Sequence, residues 1–258
     1  MVYQKDKKKK EASVNMINTF TNKTTLYSRY RQNYSCELIQ HLYANVGFQP
    51  SSCIADIGAG TGMFTELLLQ KGSTVFAVEP NNSMRQIAES ALSKYPSFHS
   101  VNTAGESTSL QPRSIDFVTV AQAFHWLNGQ LFKMECQRLT KCCGKIIIVY
   151  NRKRKDAEIN RELAEIISKF YPKHNDIINH WELRENPIIE FFNGKYEFLS
   201  FENNIVNNLD EFIGRSLSAS YAVESDAYVN RLRNLFCSYE KDGLITMPSD
   251  SIAYIGEV

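Results

Sequence analysis

The stretch that decides the fold is Cys53-Ile54-Ala55-Asp56-Ile57-Gly58-Ala59-Gly60-Thr61-Gly62. An apolar run of strand length breaks into three glycines, and a helical pattern follows with Met63, Phe64, Leu67 and Leu68 on one face before Lys71-Gly72. Glycine carries no Cβ, so the chain can turn sharply from strand to helix and a ligand can lie against bare backbone. The next apolar run, Thr74-Val75-Phe76-Ala77-Val78, ends on Glu79, seventeen residues past Gly62. A carboxylate at that strand end can accept hydrogen bonds from both hydroxyls of a ribose. Strand, glycine loop, helix, strand and acid, in that order, describe a nucleoside site. A dinucleotide fingerprint is GxGxxG; here the pattern is GxGxG and Met63 fills the place of the last glycine, which favours a ligand without a pyrophosphate.

Outward from this unit the alternation continues. A helix opened by Asn82 or Ser83 carries Met84, Ile87, Ala88, Ala91 and Leu92 inward. Strands are predicted at Phe98–Val101 and Ile115–Val120, a helix at Phe132, Cys136 and Leu139, and a strand at Ile146–Tyr150 after a break at Gly144. Upstream, Leu38, Ile39, Leu42, Tyr43 and Val46 mark a helix over 35–46, stopped by Gly47. Strands separated by helices imply βαβ units and a doubly wound α/β domain whose parallel strands are buried on both faces. Downstream, Ile159, Leu163, Ile166, Ile167 and Phe170 form a helical stripe closed by Tyr171-Pro172, and 173–195 reads as irregular. A strand at Tyr196–Phe201, helices around 209–213 and 228–239, and a last strand at Ser251–Gly256 complete the chain.

Composition narrows the classes. The chain has 258 residues, 43 % hydrophobic and 22 % charged, the balance of an ordinary globular protein. Its net charge of +1 is uneven: residues 1–11 hold five lysines against Asp6 and Glu11, leaving 24 basic against 26 acidic residues elsewhere. That body has no excess positive charge to drive polyanion binding, which argues against a nucleic-acid partner. The lysine run reads as a solvated tail, and Arg152-Lys153-Arg154-Lys155 as a solvated loop or helix start. The six cysteines show no CxxC and no zinc spacing with histidine, so no metal site is expected. Reduced thiols, no signal-peptide pattern and no apolar run approaching the ~20 residues of a membrane span make the expectation a cytoplasmic protein.

Two short motifs now carry a resemblance. Ala55-Asp56-Ile57-Gly58-Ala59-Gly60-Thr61-Gly62 and Val78-Glu79-Pro80 resemble the first two motifs of class I S-adenosylmethionine-dependent methyltransferases. Ala121-Gln122-Ala123-Phe124-His125-Trp126 is similar to the small-molecule "type 11" methyltransferases. Tyr27–Arg31, Gly214–Tyr221 and Met247–Gly256 extend the likeness. The resemblance implies a Rossmann-like, seven-stranded, mostly parallel sheet with the last strand antiparallel and helices on both faces. Residues 1–25 would be a flexible lead-in, and 26–258 a single domain with an insertion at about 152–195 over the acceptor site.

By the same resemblance the cofactor is S-adenosylmethionine, the product S-adenosylhomocysteine, and no metal takes part. Arg31, Asp56, Gly58, Ala59, Gly60, Glu79, Pro80, Met84, Glu106 and Gln122 would bind the cofactor, with Glu79 on the ribose. Ala104 stands in the slot where many relatives carry an acid for the adenine, so Glu106 is the substitute. Tyr27, Trp126 and Tyr221 would line the acceptor site, and His125 is the candidate general base, suited to a neutral-pH acceptor. The acceptor is expected to be a small molecule, a carboxylic acid or a hydroxylated metabolite. The Asn/Asp-Pro-Pro-Tyr/Phe motif of nucleic-acid amino-methylating enzymes is missing from Ala121–Trp126. A nicotinamide-dependent oxidoreductase and a cofactor-binding module without turnover remain the alternatives; nothing in the residues sets the oligomeric state.

Overall fold

The computed structural model describes residues 32–172, 185–219, 222 and 225–258. A short helix α1 (Cys36–His41) is capped by the Ser35 hydroxyl and widens into a π-helical turn over Leu42–Val46, which Gly47 ends at φ 106°. There follow β1 (Cys53–Ile57), α2 (Met63–Gln70), β2 (Thr74–Val78), α3 (Asn82–Leu92), β3 (Phe98–Val101) and β4 (Ile115–Ala121). After a single 3₁₀ turn at Phe124–Trp126 come α4 (Gly129–Leu139), β5 (Thr140–Lys153), α5 (Glu158–Phe170) and α6 (Glu185–Phe191). The chain closes with β6 (Glu197–Glu202), β7 (Ile205–Asn207), α7 (Leu209–Leu217), α8 (Asp226–Tyr239), β8 (Ile245–Met247) and β9 (Ser249–Gly256).

Seven strands form one sheet in the order β3-β2-β1-β4-β5-β9-β6. Pairings among β1 to β5 are parallel, and β9 runs antiparallel to both β5 and β6, as expected for the last strand. Alternate residues face opposite sides of a strand. In β5, Ile146, Ile148 and Tyr150 therefore pack with Phe132, Cys136 and Leu139 of α4 and Phe191 of α6. Ile147 and Val149 pack on the other side with α1, α2 and α3. Burial on both faces is why these strands read as unbroken apolar runs.

Several local expectations are corrected. The cap of α3 is Asn81, whose Oδ1 accepts from Met84 N–H at 3.1 Å, rather than Asn82 or Ser83. Gly144 lies inside β5, where a register shift against β4 takes up 141–144 and an added Cβ would stand 2.7 Å from Thr140 Cβ. Within the stretch read as irregular, 185–191 is helical: Pro187 falls in the first turn, where its missing N–H has no intrahelical role. The strand of Arg152 and Lys153 continues β5 rather than forming a loop.

A second core stands apart from the sheet. Ile159, Leu163 and Ile167 of α5 pack with Ile205, Phe212, Tyr228, Leu232, Phe236 and Met247. Thus α5, which precedes β6, shares a core with α7, α8 and the β7–β8 pair, which follow it. The pattern of 158–170 was legible as amphipathic, but its partner lay some fifty residues downstream. Asn160 Nδ2 anchors this cluster to the sheet, donating to the carbonyls of Arg154 and Pro248 at 2.7 Å.

Candidate active site

Chain order reverses between β1 and β4, and in open α/β sheets ligands bind beyond the carboxyl ends of the strands at such a point. The glycine loop lies there. Gly58, Gly60 and Gly62 have φ of 68°, 59° and 85°, in the left-handed region that residues with a Cβ enter at a cost. A Cβ at Gly58 would stand 2.5 Å from Ala123 Cβ, so the loop packs against the end of β4. A Cβ at Gly62 would stand 2.6 Å from Leu92 Cδ1, so this glycine brings α2 close to α3. At Gly60 the space is open: an added Cβ would meet Met84 Sδ at 3.9 Å and little else.

Glu79 faces that space. Its Oε2 accepts from Gly60 N–H at 2.9 Å and its Oε1 from Asn81 N–H at 2.8 Å, and the residue is 8 % exposed. Burial raises its pKa, opposed by the hydrogen bonds from Asn81 and Gly60 and by the Arg85 charge. Arg85 is held by the Glu79 carbonyl, Asn82 and Asn102.

Asp56 sits beneath the loop, fully buried on the α2 side of β1. Thr119 Oγ1 donates to its Oδ1 at 2.8 Å and Thr65 Oγ1 to its Oδ2 at 2.6 Å. Desolvation pushes this carboxyl up to about 6; the two threonine hydrogen bonds oppose the shift and the Glu79 charge adds to it. Its contacts tie β1, β4 and α2 together under the glycines, which makes it a positioning group.

On the β4 side, Gln122 takes φ 60°, a left-handed backbone at a residue with a side chain. Its N–H donates to the Val149 carbonyl at 2.8 Å and its Nε2 to the Asn151 carbonyl at 3.3 Å. His125 lies 4.8 Å from the Trp126 ring and 6.2 Å from the Tyr150 ring, and Trp126 is 40 % exposed. These three rings cluster between the turn that follows β4 and the last part of β5. In the loop after β3, Gly105 packs against Ile57 and Leu127, and Glu106 Oε1 accepts from Asn128 N–H at 2.8 Å, the residue that caps α4.

The structure thus gathers Gly58, Ala59, Gly60, Glu79, Met84 and Gln122 around one end of the sheet, with Asp56 below and Glu106 on the neighbouring loop. Pro80 is exposed beside Glu79. Tyr27, Arg31 and Tyr221 lie outside the described residues. Asn81 and Asn151 were missed by sequence reasoning. Asn151 Nδ2 donates to the carbonyls of Gln32 and Asn33 and Asn203 Nδ2 to that of Asn33, holding the chain's approach to α1 over the end of β5. An asparagine inside a strand carries no periodic signal. Among the described residues no group of three or more histidine, cysteine or acidic side chains is arranged to hold a metal, and no helix is long and apolar enough to cross a membrane.

A 3-2-1-4-5 arrangement with an antiparallel strand next to β5, a glycine loop at the switch point and an acid closing β2 is a Rossmann-like fold of the kind that class I methyltransferases share. Residues 55–148 match the model of a methyltransferase domain of the type 11 family. An uncharacterized methyltransferase of Mycobacterium tuberculosis is 32 % identical over 143 residues, 55 % of this chain and 56 % of that one. An uncharacterized methyltransferase-like protein of Schizosaccharomyces pombe is 23 % identical over 155 residues, 60 % of this chain and 59 % of its own. The chain therefore aligns with little more than half the length of these curated relatives. In fold it is similar to a candidate type II methyltransferase of Anaeromyxobacter dehalogenans (TM-score 0.66, 20 % identity, covering 88 % of this chain and 98 % of that one).

Proposed function

We propose that the protein transfers a methyl group from S-adenosylmethionine to a small organic acceptor, a carboxylic acid or a hydroxylated metabolite, and releases S-adenosylhomocysteine. The observation that carries this reading is the Glu79 carboxylate, fixed by two backbone N–H groups and facing the open space at Gly60. A carboxylate has about four acceptor positions. The two backbone donors leave capacity for a vicinal diol, so the residues fit the ribose of the cofactor.

In this reading Glu79 holds the ribose hydroxyls. Gly58, Ala59 and Gly60 offer backbone to the amino-acid part, and Met84 and Pro80 flank the nucleoside. Glu106 stands nearest the adenine side, Gln122 faces the reacting end, and Arg31 pairs a carboxylate. When bound, the cofactor supplies an electrophilic methyl group on a sulfonium. The chain's own work is positioning and exclusion of water, which can supply about 7–11 kcal/mol of the barrier. Trp126, with Tyr27 and Tyr221, walls the acceptor. His125 accepts the proton of a hydroxyl acceptor; a carboxylate acceptor needs none. The α5–α7–α8 cluster covers this side in the same reading, and no metal takes part.

Incubation of the protein with methyl-tritiated cofactor and a fractionated cell extract tests the reading. Label in the small-molecule fraction is expected. Label confined to protein or nucleic acid would overturn the acceptor class, and cofactor binding without any transfer would make the protein a binding module.

A further inference from the structure

At the end of the sheet opposite the glycine loop, residues 141–144 of β5 stand against Asp116 of β4 alone, because the pairing passes from Ile115–Thr140 directly to Phe117–Lys145. Both ends of this bulge are fixed. Lys141 Nζ donates to Asp116 Oδ1 at 2.8 Å, and the other oxygen of that carboxylate accepts from Cys53 N–H at 2.8 Å. Gly144 lies so close to Thr140 and the Asp116 carbonyl that an added Cβ would stand 2.7 and 3.1 Å from them. Between these ends Cys142 and Cys143 are exposed, Cys143 has φ 64°, and their sulfurs lie 3.6 Å apart in a shared hydrogen bond. A cleft of about 280 Å³ is lined by both cysteines with Gln49, Ser52, Asp116 and Lys141.

Neighbouring thiols can hold a metal or exchange electrons. Among the described residues no third histidine, cysteine or carboxylate joins these two as a metal ligand. Electron exchange needs only that the sulfurs close from 3.6 Å to about 2.05 Å. In a regular strand successive side chains point to opposite faces, which would hold adjacent sulfurs apart. The left-handed backbone at Cys143 brings them together instead. Adjacent Cα atoms are about 3.8 Å apart, below the ~4.4–6.8 Å of ordinary disulfides, so the ring closes under strain and is easily reopened by thiols. The hydrogen bond to Cys142 and the charge of a Cys142 thiolate raise the Cys143 pKa, and Glu257 adds to the shift. Cys143 therefore keeps its proton longer, and Cys142 supplies the attacking thiolate.

We infer that Cys142 and Cys143 form a reversible redox site, oxidised to a vicinal disulfide by a small hydroperoxide that enters the cleft and reduced again by a small thiol such as glutathione. In the first step the Cys142 thiolate attacks the terminal peroxide oxygen, the O–O bond breaks and an S–O bond forms; the released alkoxide takes up the proton that the thiol lost. The Cys143 sulfur then attacks the sulfenic sulfur of Cys142, the S–S bond forms, and hydroxide leaves as water with the Cys143 proton. The two thiols lose two electrons and two protons, and the peroxide is reduced to an alcohol and water. Two thiol molecules reverse the change and leave as their own disulfide. The site is independent of the proposed methyl transfer.

Trypsin cuts after Lys141 and Lys145, so Cys142 and Cys143 share a peptide that holds no other cysteine. The full-length chain is treated with rising hydrogen peroxide in the presence of dimedone, which traps sulfenic acid, until Cys36 or Cys237 reacts. It is then alkylated with N-ethylmaleimide, digested and analysed by mass spectrometry. The shared peptide should be two hydrogen masses lighter, carry neither reagent, and return to the doubly alkylated form after millimolar glutathione. Cys36 and Cys237, exposed thiols in the same sample, should carry dimedone or maleimide instead. A doubly alkylated pair at that dose, dimedone or sulfinic acid on the pair in place of the disulfide, or a disulfide that glutathione does not reopen overturns the inference. So does a bond from either residue to Cys53 or to a second chain. Cys143→Ser should turn the product into a dimedone adduct on Cys142, and Cys53→Ser should leave the disulfide unchanged, with unfolding midpoints showing that both variants fold. Loss of the disulfide in folded Cys53→Ser would also overturn the inference.

Discussion

Asp56→Asn isolates the buried carboxyl under the glycine loop. In the folded protein this group titrates near 6, against an ordinary value of 3.8. The folded state therefore holds its proton over a window where the unfolded chain has lost it, and stability falls as pH rises from about 4 to about 6. Two pH units correspond to at most about 3 kcal/mol. The amide keeps the shape of the side chain and carries no charge, and both threonine hydroxyls can rotate to serve it. The variant should therefore gain on the wild type through this window, by about 3 kcal/mol at pH 7 relative to pH 4, less what the altered hydrogen bonds cost. For a chain of this size that is a relative rise in melting temperature of roughly 6–12 °C. Thermal or urea unfolding of both proteins at half-unit steps from pH 4 to 7.5 measures the difference, in which other carboxylates cancel. A flat difference across the window would refute the argument that Asp56 is held as a costly buried charge at neutral pH.

Other substitutions test neighbouring parts of the site. Gly58→Ala adds left-handed strain and a clash with Ala123, costing about 2–5 kcal/mol, and should also move the end of β4; a melting temperature within a degree of wild type would contradict this packing. Gln122→Gly relieves the positive φ and should leave stability unchanged or raise it by up to about 1 kcal/mol while S-adenosylhomocysteine affinity falls, as read by calorimetry. At Glu135 burial favours protonation, but hydrogen bonds from Arg138 and Thr108 prevail and hold its pKa low. Its stabilisation is present above the ordinary carboxylate range and lost as pH falls through it, and Glu135→Ala, which leaves the buried Thr108 donors without their acceptor, should cost about 1–3 kcal/mol in urea unfolding near pH 7.

Much of the sheet was legible because its strands are buried on both faces: the runs at 53–57, 74–78, 115–121 and 146–150 admit little else. The glycine loop and Glu79 were legible because each needs a residue type that few others can replace. What could not be seen has physical reasons. The pairing of α5 with α7 and α8 depends on contacts between segments separated by another strand, and an amphipathic stripe does not name its partner. The helix at 185–191 fell within a stretch read as irregular; Pro187 can stand in its first turn, where its missing N–H has no intrahelical role. Lys153 looked like one residue of a solvated charge run; that it continues β5 depends on its pairing with Ser249 of β9. Asp56 was expected to bind the cofactor; its two threonine partners, which make it a support beneath the loop, come from α2 and β4 and could not be read from its own segment.

The most direct measurement of the central claim is thermal unfolding of the wild-type chain and of Glu79→Gln and Glu79→Ala with S-adenosylmethionine, S-adenosylhomocysteine, NAD or buffer. A ligand at a hundred times its Kd adds about 2.7 kcal/mol, a rise of roughly 5–10 °C here. The account predicts that rise for the wild type with the two sulfur nucleosides and not with NAD, reduced in Glu79→Gln and lost in Glu79→Ala. No shift of the folded wild type at millimolar S-adenosylhomocysteine, or a shift that survives Glu79→Ala intact, would contradict it.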